Sequence, residues 1–176
     1  MEPIFQPDWM EKVVVVVIPP EKYNSVSSAM LMEIAKERDI EGVFVSMNKP
    51  YCTVIESLKE SGILEKIIFV DCASKLAGDN PSGDRLVIVR NPANLTELNI
   101  SITKSLAKLA KNKFLIFDSL TTLRIYSESK VATRFAHALG LKMKANKVTG
   151  LFLAVEQNSA KEMLSFFQQW LINLSS

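Results

Sequence analysis

With one histidine, two cysteines and six glycines in 176 residues, the chain is poor in the residues that make many common active sites. A single histidine, His137, excludes a His-rich metal centre and argues against a histidine-based catalytic triad. Cys52 and Cys72 form no CxxC or other metal-ligand spacing, so both are expected to be buried, reduced thiols of a cytoplasmic protein. The longest apolar run, Val13 to Ile18, is far short of the roughly 20 residues that a membrane-spanning helix needs. The first residues, Met1-Glu2-Pro3-Ile4, lack a basic segment followed by an apolar one, and no signal peptide is expected. The net charge is only +2, and no basic cluster stands out along the chain, which disfavours nucleic acid as a partner.

What is present is an ordinary globular balance, 48% hydrophobic and 23% charged. That composition argues against disorder and suits one domain over residues 1–176. Val13 to Ile18 shows no polar alternation, which predicts a central parallel strand covered on both faces. Pro19-Pro20 stops it, and apolar residues at helical spacing follow to Arg38, with Asn24 or Ser25 as the expected cap. Further strands are expected over 43–47, 67–71, 86–89, 114–119 and 149–155. Helices are expected over 51–61, with Gly62 as its C-terminal glycine, and from Asn94 or Thr96 to Lys111. A loop through Thr121 and Thr122 should lead to a helix over 130–145. A last helix over 160–174 should place Trp170 on its apolar side. Residues 1–11 read as a lead-in across the sheet edge, and 73–85 as a loop. Strand–helix alternation of this kind predicts a three-layer α/β/α fold around a mostly parallel sheet.

Two stretches carry a family resemblance. Phe114-Leu-Ile-Phe-Asp118-Ser119-Leu-Thr-Thr-Leu resembles the apolar strand and Walker B acid of RecA-like ATPases of the KaiC and archaeal RadA type. Val148 to Glu156 is similar to the strand that comes next in that family, and the opening strand–turn–helix stands where its Walker A loop would be. The resemblance implies a RecA-like P-loop fold. Laid over the pattern G-x-x-x-x-G-K-[ST], however, this chain has Ile18 and Tyr23 at the glycines, Asn24 at the lysine and Ser25 at the hydroxyl residue. Glycines let such a loop adopt positive φ and bring backbone N–H groups against phosphate, and the lysine neutralises phosphate charge. Glu21 would add a negative charge, and Pro19 and Pro20 have no N–H to offer. Where the family carries water-activating acids, this chain has Ser46-Met47-Asn48-Lys49-Pro50. The resemblance therefore implies no catalytic residue, no metal ligand and no required cofactor.

Two readings follow. In the first, the chain is a non-catalytic RecA/KaiC-like domain serving as a regulatory or protein-interaction module, its crevice filled by Tyr23. Its partner would be a protein, such as an active KaiC-like ATPase or a regulator, and it would be a monomer or small oligomer. In the second, it is a nucleotide- or anion-binding ATPase relative with an altered phosphate site. That site would use Lys22, Asn24, Ser25, Lys49, Asp118 and Ser119, with residual Mg-nucleotide as its ligand. Asp118 is otherwise expected to bond Ser25 or the helix-start amides, while Asp71 and Glu156 serve as caps or solvated strand ends. A DNA-binding relative would need denser basic loops than Arg124, Lys130 and Arg134, which alternate with Glu128, or Lys161 beside Glu162.

Overall fold

A computed structural model describes residues 3–110 and 112–174, the side chain of Asn173 excepted. Seven strands, β1 (Val13–Ile18), β2 (Ile40–Ser46), β3 (Ile67–Asp71), β4 (Leu86–Ile88), β5 (Asn112–Asp118), β6 (Thr149–Val155) and β7 (Leu171–Asn173), form one sheet. Their order is β4-β3-β2-β5-β6-β1-β7, and every pair is parallel. The helices are α1 (Tyr23–Lys36), α2 (Tyr51–Leu58), α3 (Leu95–Ala107), α4 (Leu120–Tyr126), α5 (Ser129–Ala145) and α6 (Lys161–Ser165).

The valine run of β1 explains the layering. Successive side chains of a strand point to opposite faces. Val13 and Val15 enter a core shared with α3, α4 and α5, whereas Val14, Val16 and Ile18 enter one shared with α1 and α2. Both faces are dry, so the strand carries no polar position. The fold is the three-layer α/β/α RecA-like arrangement.

A glycine marks the tightest crossing of the sheet. Gly42 of β2 lies opposite Phe114 of β5, and the Phe114 ring covers the space a Cβ would need. Phe114 is fully buried and cannot swing into solvent. Gly42→Ala is therefore expected to cost about 2 kcal/mol through overpacking, read as a lower urea midpoint. An unchanged midpoint would show that the ring has room to move.

Several expectations need correction. The segment through Thr121 and Thr122 is helix α4, because Ser119 caps it: its Oγ accepts from the Thr122 N–H at 3.2 Å. Residues 160–174 are not one helix. α6 stops after five residues, a 3-10 turn spans Gln168–Trp170, and β7 follows. β1 would otherwise be an unpaired edge, and pairing Val15, Val16 and Val17 with β7 satisfies it. The helix over 51–61 ends at Leu58, so Gly62, at φ +70°, lies beyond its cap. α1 starts at Tyr23 with Lys22 before it and no side-chain cap, so neither Asn24 nor Ser25 has that role. Cys72 is buried, but Cys52 is exposed on α2. The lead-in is tied to α1, the Ile4 and Phe5 N–H groups donating to Glu33 Oε2, while Phe5 and Trp9 join the core on that face of the sheet.

Candidate functional site

The site lies where β1, β2 and β5 end. After Ile18 the chain passes Pro19 into a 3-10 turn, Pro20–Lys22, and directly into α1. Prolines at 19 and 20 fix φ and supply no donor. The next N–H groups are turned inward: Lys22 donates to the Pro19 carbonyl at 3.0 Å and Tyr23 to that of Pro20. Among the described residues, none between 18 and 25 has positive φ. The backbone here is a closed turn, not a cradle.

Beginning α1 at Tyr23 aims that side chain across the end of the sheet. The ring is 6% exposed, and its hydroxyl donates to Asp118 Oδ1 at 2.5 Å. Asp118 is the last residue of β5, fully buried, opposite Ser46 in β2. The Asp118–Ser119 peptide is cis. At the end of β2, Ser46 Oγ donates to the Lys49 carbonyl at 2.6 Å and accepts from the Lys49 N–H at 3.2 Å. That turn folds the Lys49 side chain back over the strand ends. Its ammonium lies 3.7 Å from Asp118 Oδ2, donates to Ser27 Oγ at 3.0 Å, and sits 5.7 Å over the Tyr23 ring. Among the described residues no donor bonds Asp118 Oδ2 in good geometry, and the Lys49 charge, with the Ser27 hydroxyl beside it, is what balances it.

The electrostatics follow from burial. Loss of solvent pushes the Asp118 carboxyl above its ordinary value, while Lys49 and the Tyr23 hydroxyl pull it back. Burial, with the Asp118 charge beside it, raises the Tyr23 phenol well above its ordinary value. Tyr23 is thus a donor at any physiological pH, and the acid, the phenol and the ammonium form one closed set.

Of the residues singled out in the sequence, Lys49 and Asp118 are brought together. Ser25 is exposed and donates to the Lys22 carbonyl at 2.9 Å, away from Asp118, so the Asp118–Ser25 bond does not form. Lys22 and Asn24 are exposed; Asn24 lines, with Ser27 and Lys49, a recess of about 340 Å³ between α1 and α2. Ser119 is buried as the cap of α4. Ser27 was not foreseen. It lies four residues after Tyr23, hence on the same face of α1, and that spacing was the available signal.

Asp71 is a cap, accepting from the N–H groups of Ala73 and Ser74 at 2.8 and 2.9 Å and of Tyr51 at 3.2 Å. Glu156 stands exposed just past β6. Among the described residues, no group of three His, Cys, Asp or Glu side chains is placed to hold a metal ion. No helix among them is long and apolar enough to cross a membrane.

Residues 26–168 match the protein-family model described as "ATPase: KaiC". A search of curated proteins gives no match.

Proposed function

The chain belongs to the KaiC ATPase family, and we propose that within it this member has exchanged nucleotide turnover for a structural, partner-binding role. The carrying observation is the Tyr23–Asp118–Lys49 set. The family's magnesium-side acid is here satisfied by a phenol from the position of a phosphate-loop glycine and by an ammonium from the end of β2. A ligand would have to displace both, exposing a fully buried carboxylate to its own negative charge. The inward-turned donors of residues 22 and 23 support the same reading, as does a family match that begins at residue 26, beyond the loop. The Walker A stretch is on this reading degenerate, and one domain spans residues 1–176.

The second reading, an altered anion site on Lys49, is disfavoured because that ammonium is committed to Asp118 and Ser27. A surface role is favoured by apolar side chains left uncovered. Ile125 is 76% exposed, and Phe166, 62% exposed, borders a recess of about 370 Å³ between α5 and α6. The partner is a protein, with an active KaiC-like ATPase the first to test.

Phosphate release from Mg·ATP should stay at background. Mg·ATP, ADP and GTP should also give no stabilisation that depends on Asp118. A ligand held in the crevice at a hundredfold excess over Kd would add about 2.7 kcal/mol. A thermal shift of that kind, lost in Asp118→Asn, would overturn the proposal.

A further inference from the structure

At the opposite end of β5, about 20 Å from Asp118 at a strand's rise per residue, lies a recess of about 430 Å³. It is framed by the ends of α3 and α5 and the starts of β5 and β6. Among the described residues, Lys113, Lys142 and Lys147 line it together with Asn112, Asn146 and Thr103, and Glu11 is the one carboxylate. Three lysines against one glutamate leave it at a net charge of +2. In sequence these lysines are up to 34 positions apart (147 minus 113), which is why no basic cluster was visible there.

From this we infer that the recess is a binding site for a run of phosphates, carried by a free polyphosphate or by a nucleic-acid backbone. None of the three ammonium groups has a carboxylate within ion-pair distance among the described residues. Lys142 donates to Thr103 Oγ1 at 2.7 Å, which holds its ammonium in the recess. Lysines near a helix C-terminus often serve its free carbonyls, but here three of the last four of α5, those of Lys142, Met143 and Lys144, already accept backbone N–H groups. The Asn146 N–H donates to Lys142 and Met143, the Lys147 N–H to Lys144, and the Val148 N–H to Met143. Three like charges in one recess repel each other, an arrangement that an anion relieves.

The backbone supplies an independent observation. Only three non-glycine residues among those described have positive φ, and two of them, Glu11 at 59° and Lys147 at 53°, line this recess. Lys147 sits just past the end of α5, where glycine is the unstrained choice. A lysine held there against that preference points to use of its side chain. Among the described residues no aromatic side chain lines the recess, so bases have nothing to stack on and phosphate is the recognised group.

The test uses the full chain, sodium tripolyphosphate by calorimetry, and a labelled single-stranded oligonucleotide by anisotropy. Lys147→Gly should weaken binding about tenfold, as loss of one charge-assisted contact does, while holding or raising the unfolding midpoint because glycine accepts the backbone freely. Lys113→Met should weaken binding similarly, and Lys161→Met, on α6, should not. Binding in both arms, weakening as salt rises, supports the site with a nucleic-acid backbone as the source. Binding of tripolyphosphate alone supports it with a free polyphosphate. No binding in either arm, or binding indifferent to Lys113 and Lys147, overturns it. Asp118→Asn leaves this binding intact, so the fate of the closed crevice and the fate of this site are read separately.

Discussion

Lys49→Met lowers the unfolding free energy by about 3 kcal/mol near neutral pH and by far less in acid. The substitution keeps most of the apolar stem and removes the cation that, among the described residues, pairs with Asp118, leaving a fully buried carboxylate held by the Tyr23 hydroxyl. The pH dependence has a definite sign. Burial raises Asp118 above its ordinary value of 3.8 in the folded chain. Between 3.8 and the raised value the folded state holds more protons than the unfolded one, so stability falls as pH rises through that window. Lys49 opposes the rise; without it the folded value climbs further and the window extends upward. Below the window the carboxyl is protonated in both states, and the substitution costs only packing. Urea unfolding across the acid-to-neutral range measures the difference directly. A loss that is equally large at low pH would show that Lys49 acts by packing alone. Adding Asp118→Asn to Lys49→Met should recover part of the stability, because it removes the charge left without a partner.

That set was half legible in the sequence. Asp118 was visible because an apolar strand ending in an acid places it at the crevice of a parallel sheet. Lys49 was visible as the one cation at the end of β2. What joins them was not. Alignment to the phosphate-loop pattern placed Ser25 as the surviving hydroxyl, but the helix phase set by starting α1 at Tyr23 turns Ser25 to solvent and Ser27 inward. Pattern spacing locates a residue along the chain, whereas helix phase decides which side it faces. The closed turn after β1 is legible in Pro19 and Pro20, which have no N–H to offer, and in the absence of glycine between residues 18 and 25. That Tyr23 would bond the acid needed three dimensions.

Fold legibility divides in the same way. Strands buried on both faces announce themselves, and β3 and β6 fall where the apolar runs place them. α4 is hard to read because the β-branched Thr121-Thr122 pair disfavours helix, and the Ser119 cap that overrides this stands beside the crevice acid, where it reads equally as a site residue. The lysine recess was invisible for a related reason. Its members come from a strand start, a helix end and the turn after it, and only the crossover connections bring those together.

The C-terminal segment failed for a tertiary reason, and Trp170 tests it. Trp170→Ala should lower stability by about 4 kcal/mol, within the range for removing a buried aromatic. The indole is 8% exposed, stacks on His137 at 5.4 Å between ring centres with 19° between planes, and meets Phe167 at 6.0 Å. It lies immediately before β7, so its anchoring decides whether Leu171–Asn173 can pair with β1. Faster amide exchange at Leu174, whose N–H donates to the Val17 carbonyl at 3.0 Å, should accompany the loss. Gly140 supplies an internal check. A Cβ there would lie 2.7 Å from Trp170 Cζ3, so Gly140→Ala should destabilise the wild-type chain. In the Trp170→Ala background the obstruction is gone, and alanine inside α5 should instead stabilise by up to about 1 kcal/mol. The sign reversal is specific to this contact. If Gly140→Ala has the same sign in both backgrounds, the indole does not pack on α5, and the pairing of β7 with β1 must be held by the strand alone.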